Sequence, residues 1–340
     1  MASAMTSAGV FAIDKRSGQM STDIVNYVKH LLLLPASVKP QPSFDQWKSA
    51  LQTSSEETQK NKKKFHSKRQ KVKIGHGGTL DPLASGVLIL GIHAGTKSLH
   101  YFLTGQTCRK VYDVTGQFGM STDTYDVTGK PTLTTPSPVD HITLQAIEDV
   151  LKERFTGTIM QRPPAFSALR VNGRRMYDMA REASALNTEV PCALIQPRPV
   201  TVHDIRLVSY CPQTQMFSLR VECGGGTYIR SIVHDLGQAL GSSAHMTVLR
   251  RIRQGPFVVG ECEEELEVEG RRKAVSLETL VEKWDVLAEE VIVPPETLKS
   301  LGCVVTEQPP TPAVSPVKRD LEGQTAAETK EGEKKVKVDE

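Results

Sequence analysis

Between Ile74 and Gly91 the chain reads IGHGGTLDPLASGVLILG, five glycines around a single aspartate that run straight into an apolar segment. Glycine at 75, 77 and 78 lets the backbone approach a ligand closely and present its N–H groups. Pro82 restrains the backbone of Asp81. Gly86–Gly91 has the continuous apolar character of a buried strand. A carboxylate on a glycine-rich loop at the entrance to such a strand has to be built on a sheet.

Further strands are expected at Gly9–Ile13, Lys110–Phe118, residues 199–209 and Met216–Cys223, the last with clear alternation. Apolar spacing at i, i+3 and i+4 predicts a helix capped by Ser21, Thr22 or Asp23, with Ile24, Val25, Val28, Leu31 and Leu32 facing inward. The same spacing predicts helices over Thr143–Phe155, Arg174–Ala185 and Ile229–Leu240, and a last one fits Ser276–Trp284. The pattern is lost from Pro35 to Val72. Because strands and helices mix without a regular βα repeat, the expected class is α/β in the α+β sense, a mixed, largely antiparallel sheet flanked by helices.

Of the 340 residues 39% are hydrophobic and 5% aromatic, which implies an aliphatic core for one large domain or two ordinary ones. No run reaches the roughly 20 apolar residues of a membrane helix. The start, MASAMTSAGVFAIDK, has neither a basic n-region nor an Arg-rich amphipathic pattern. Six cysteines without a CxxC pair suit the reduced thiols of an intracellular protein. Nuclear and cytoplasmic residence is expected, with a mitochondrial share left open. Residues 304–340 hold six Lys/Arg against eight Asp/Glu, leaving 36 against 31 in a mildly basic body. That Pro-, Thr-, Glu- and Lys-rich segment is expected to be a disordered tail. Its basic pairs, Lys318-Arg319 and Lys334-Lys335, suit either a bipartite nuclear address or a solvated surface.

Two other motifs bear on chemistry. Gly91–Ser98 resembles a phosphate loop but has one residue too few between its glycines and Thr96 before Lys97, which argues against nucleotide hydrolysis. Asp81 itself could be an Asx-turn residue or helix cap, a metal ligand with His76, or a catalytic carboxylate. The metal reading lacks further clustered ligands, and the catalytic one requires a basic group nearby. In Cys223–Ile232, CGGGTYIRSI, a strand ends in glycines and a helix begins near Thr227. Arg230 in its first turn opposes the helix dipole, which makes sense if it meets a phosphate or Asp81. Tyr228 could present its ring to a base. A purely structural role for both stays open.

Taken together, these segments resemble the TruB family of tRNA pseudouridine synthases. The resemblance is centred on GHGGTLDPLASGVL (75–88) and extends to Gly9–Lys15, Lys110–Tyr112, Ser121–Asp126, Gln161–Arg170, Arg198–Val202, GGTYIRSIVHDLGQALG (225–241) and HMTVLRR (245–251). It implies the pseudouridine synthase fold and isomerisation of the T-loop uridine, position 55, without a cofactor or metal. Asp81 is implied as the catalytic carboxylate, either attacking the ribose anomeric carbon or abstracting the 2′ proton. Arg230 is implied to pair with it, and Tyr112 to stack on the flipped uracil and take the C5 proton. Tyr228 is implied to contact the target nucleotide and His76 to fill the space it vacates. Lys15 would support the loop, Leu249 would wall the pocket, and Gly77 and Gly78 would lie against the RNA.

Arg16, Gly77 and Gly224-Gly225 depart from the residues usual in the family. The RNA-binding (PUA) domain of bacterial relatives is not expected after about residue 285. The catalytic domain is expected over 1–302, interrupted at about 36–72. Residues 58–73 carry eight Lys/Arg and no acid, and Lys62, Lys63 and Lys64 are expected to contact tRNA phosphates, partly replacing the PUA domain. A monomer acting on the tRNA T arm is expected, with mRNA sites an open question. The rival reading is an RNA-binding or tRNA-folding chaperone that uses the same pocket without turnover.

Overall fold

The computed structural model describes residues 8–34, 41–53, 72–104, 108–132, 138–186, 188, 195–262, 267–282 and 292–301, all within the compact unit Met1–Val305. Lys62, Lys63, Lys64 and the tail expected over 304–340 lie outside the described residues. The elements run β1 (Gly9–Lys15), α1 (Ser21–Leu33), α2 (Phe44–Thr53), β2 (Ile74–His76), β3 (Ser85–Ile92), α3 (Leu99–Thr104), β4 (Lys110–Phe118) and α4 (Leu144–Arg154). They continue with β5 (Gly157–Gln161), β6 (Arg170–Val171), β7 (Arg174–Arg175), α5 (Met176–Ala185), β8 (Arg198–Cys211), β9 (Met216–Cys223) and α6 (Ile229–Ala239). The last are β10 (Ala244–Gln254), β11 (Phe257–Val258), β12 (Arg272–Lys273), β13 (Val275–Ser276), α7 (Leu277–Glu282) and α8 (Pro295–Ser300).

Eleven of these strands form one sheet in the order β13-β1-β3-β10-β4-β9-β8-β5, with β2 on β3 and β11 joining β10 to β12. Most pairs are antiparallel; β1/β13, β3/β10 and β11/β12 are parallel. This is the mixed, largely antiparallel sheet that the sequence predicts. Successive residues of a strand point to opposite faces. Thus Phe11, Ile13, Leu88 and Leu90 join one core with helices α1, α4 and α6, whereas Val10, Ala12, Val87 and Ile89 join another with α3 and α8. Tyr112 and Leu249 belong to the first core.

Two expectations are corrected. The stretch after Pro35 is not patternless, because α2 docks through Phe44 and Trp47 on Tyr27 of α1. Ser21 does not cap α1: Met20 occupies the N-cap without a side-chain bond, and the Ser21 hydroxyl serves the loop before β3.

Candidate active site

The loop between β2 and β3 has no regular structure, yet six of its seven carbonyls from Gly77 to Leu83 accept hydrogen bonds. Gln254 donates to Gly77 (2.7 Å), Arg251 to Gly78 (3.1 Å), Ser21 to Leu80 (2.9 Å) and Ala84 N–H to Asp81 (3.1 Å). Lys15 Nζ and Gly18 N–H reach Pro82 (3.2 and 2.8 Å), and the Ser17 hydroxyl reaches Leu83 (2.7 Å). Such satisfaction makes a loop rigid without secondary structure. Gly78 takes φ +134°, and a Cβ at Gly86 would collide with the Arg251 carbonyl, so glycine is what lets β3 leave the loop against β10.

Asp81 projects from this platform with its side chain 36% exposed, and Arg230 Nε meets its Oδ2 at 2.8 Å. The guanidinium is almost wholly buried. Its Nη1 donates to Thr124 O (2.8 Å), its Nη2 to Phe166 O (2.9 Å), and Asp126 Oδ2 lies 3.9 Å from Nε. α6 starts at Ile229, so Arg230 does sit in the first turn, and its anion is Asp81. Tyr228 is the N-cap, and the Gln161 side chain clamps both its N–H (2.8 Å) and its carbonyl (3.0 Å).

Lys15, Tyr112 and Tyr228 lie near enough to Asp81 for its charge to raise their pKa values. In Lys15, burial outweighs that and pushes the ammonium down to about 8. Burial raises the Tyr112 phenol, against the opposing charge of Arg251, and raises that of Tyr228. Leu249 is buried in the same core as Tyr112. His76, half-buried at the end of β2, is held low by burial and by Arg251. A carboxylate, an opposing guanidinium and two phenols are therefore close enough to feel one another's charge. Such a set can hold a carboxylate nucleophile or base beside an aromatic ring.

Two family profiles match. TruB family pseudouridylate synthase (N terminal domain) covers residues 62–229, and tRNA pseudouridylate synthase B C-terminal domain covers residues 230–298. Pseudouridylate synthase TRUB1 of Mus musculus is 40% identical over 257 residues, which is 76% of this chain and 66% of that protein. The tRNA pseudouridine synthase B of Solibacter usitatus is 36% identical over 73% of this chain and 67% of its own length. The chain belongs to the TruB family. It spans just under two thirds of the length of the mouse relative. A chain of a crystallised Cbf5-Nop10-Gar1 complex aligns with TM-score 0.49 at 26% identity, over 86% of this chain and 59% of that one.

The profile boundary falls between Ile229 and Arg230, so the Asp81–Arg230 pair joins the two TruB segments, and Lys15 lies outside both. Three participants carry no role in the sequence reading. Asp126 accepts from the Thr124 hydroxyl, Thr128 N–H and the Thr128 hydroxyl while facing Arg230. Arg251 ties Tyr112 (3.5 Å) to the loop, and Gln161 fixes Tyr228. All three lie in motifs that carry the family resemblance, and that is their only signal in the sequence. Among the described residues no group of three or more His, Cys, Asp or Glu is placed to hold a metal ion, and no helix is long and apolar enough to cross a membrane.

Proposed function

We propose that the chain is a tRNA pseudouridine synthase that isomerises uridine 55 of the T arm, with Asp81 as the catalytic carboxylate. The observation that carries this is the 2.8 Å pair between Asp81 and a buried Arg230 on opposite sides of the two family segments. The buried guanidinium anchors the carboxylate, which attacks the anomeric carbon or takes the 2′ proton. A base inside a folded loop has to be extruded before it can be reached. Breaking C1′–N1 frees uracil, which rotates and rebonds C1′ to C5. C5 loses its hydrogen and N1 gains one, so substrate and product have the same formula and no redox partner is needed. Tyr112 stacks on the extruded base and relays the C5 proton, its hydroxyl giving up its own proton as it takes that one. Tyr228 contacts the nucleotide, His76 takes its place in the RNA, and Lys15 steadies the loop through Pro82.

The test is tritium release from an unmodified tRNA transcript labelled at uridine C5, comparing the native chain with Asp81→Asn. C5 loses its label only when the new carbon–carbon bond has formed. Stoichiometric release that falls by at least about 10²–10⁴-fold in the variant, with tRNA binding retained, is the expected outcome. Tight binding without release would instead support an RNA-binding protein that lacks turnover.

A further inference from the structure

Helix α6 turns two side chains toward residues 122–126, one helical turn apart. Arg230 reaches Asp81, the Thr124 carbonyl and Asp126. Four residues on, and so on the same helix face, His234 lays its ring flat on Tyr125, with centroids 3.8 Å apart and planes 8° from parallel. Tyr125 has φ +62°, a left-handed conformation that a bulky side chain rarely takes and that tends to persist at functional sites. That one turn of the backbone lets both neighbours face a single guanidinium, Thr124 with its carbonyl and Asp126 with its carboxylate. Tyr125 N–H donates to Thr122 O (3.2 Å) and its carbonyl accepts from Met246 N–H (3.0 Å), so the turn is pinned to β10 from behind. The front is held by the ring. His234 Nδ1 is buried without a hydrogen-bond partner among the described residues, so its contact with Tyr125 is made by the ring face.

We propose that the His234–Tyr125 stack positions Arg230 against Asp81, making both residues positioning residues for the isomerisation. Glycine or asparagine would suit the left-handed backbone better than tyrosine; a tyrosine there serves its side chain, whose ring lies on His234. The role rests on the proposed synthase activity and deepens it, because a displaced turn would let the guanidinium drift from the carboxylate while leaving the RNA surface in place.

The experiment measures tritium release from C5-labelled tRNA transcript by the full chain and four variants, with kcat and KM determined separately. Tyr125→Gly relieves the backbone strain but removes the ring, and His234→Ala removes the other ring. Each is expected to lower kcat about ten- to a hundredfold, the usual consequence of a misplaced catalytic group, with KM within about twofold. Tyr125→Phe and His234→Phe keep a flat ring and are expected to hold kcat near the native value. Native kcat in Tyr125→Gly would overturn the proposal, since backbone shape alone would then suffice. So would a raised KM at unchanged kcat in the Tyr125 variant only, which would make that ring an RNA contact. His234→Phe as poor as His234→Ala would also overturn it. A native chain that releases no tritium would remove the synthase reading first and this role with it, an outcome separate from native-like variants.

Discussion

Arg230 and Arg251 are both almost fully buried, and their surroundings are opposite. Arg230 faces two carboxylates, Asp81 and Asp126. Arg251 donates to the carbonyls of Val87 (2.7 Å) and Gly78 (3.1 Å) and to the Tyr112 hydroxyl (3.5 Å), with no ion pair among the described residues. Burying a charge without a counter-ion is costly, and the uncompensated field is felt nearby. Arg251 pushes down His76, Lys110 and Lys15 and opposes the effect of burial on Tyr112. A neutral side chain cannot supply so many directed donors in one plane. Arg230 therefore acts through its charge on the carboxylate, and Arg251 chiefly through geometry, linking the catalytic loop to β3 and to Tyr112.

The largest effect is expected from Arg230→Met, which should lower kcat/KM for tritium release about 10²–10³-fold by removing a preorganised electrostatic partner. tRNA affinity should stay within a few-fold. Arg230→Lys should recover only part, because it keeps the charge but loses the planar fork that reaches Asp81, Thr124 and Phe166 together. If Arg251→Met were equally damaging to kcat, the distinction between the two arginines would break.

The same contrast explains what the sequence could reveal. β9 follows its alternation to the residue, and β4 alternates only from Tyr112 on, because each is half of a simple apolar face. β10 carries no such signal. It buries His245, Arg251, Arg253 and Gln254, and its pairing with β4 shifts register at Met246/Val248 and Arg251/Arg253. A strand whose inward residues are charged is invisible to a hydrophobic period, so Arg251 could not be assigned a place. Arg230 was legible because a cation in a first helical turn demands an anion. Helix α2 left a signal that periodicity passes over. Ser43 and Gln46 form a reciprocal cap, with Ser43 N–H to Gln46 Oε1 at 2.9 Å and Gln46 N–H to Ser43 Oγ at 3.2 Å. Its only buried residue is Phe44, too little for an apolar stripe.

Arg251→Met should sharpen the comparison at intermediate size. Leaving buried carbonyls such as Gly78 O and Val87 O without donors costs about 1–3 kcal/mol, read as lower stability in urea unfolding. Loss of the nearby positive charge should also move the His76 titration upward toward the ordinary histidine value, measured by NMR of the ring protons. Reduced stability with an unmoved His76 would mean that Arg251 contributes hydrogen bonds alone.

The smallest effect concerns Lys15, whose Nζ donates to Arg16 O (3.0 Å), Gln19 O (2.7 Å) and Pro82 O (3.2 Å). Burial and Arg251 lower its pKa from 10.5 to about 8, with Asp81 opposing. As pH rises above 8 the folded chain sheds this proton while the unfolded chain keeps it up to about 10.5, so stability rises with pH. The unfolding free energy of the native chain minus that of Lys15→Met should thus grow by about 1 kcal/mol between pH 8 and pH 9. In an Arg251→Met background the same rise should begin at higher pH, because one cause of the lowered pKa has gone. A difference flat across this range in both backgrounds would show that the three carbonyls hold the ammonium charged, and that the field of Arg251 does not reach Lys15.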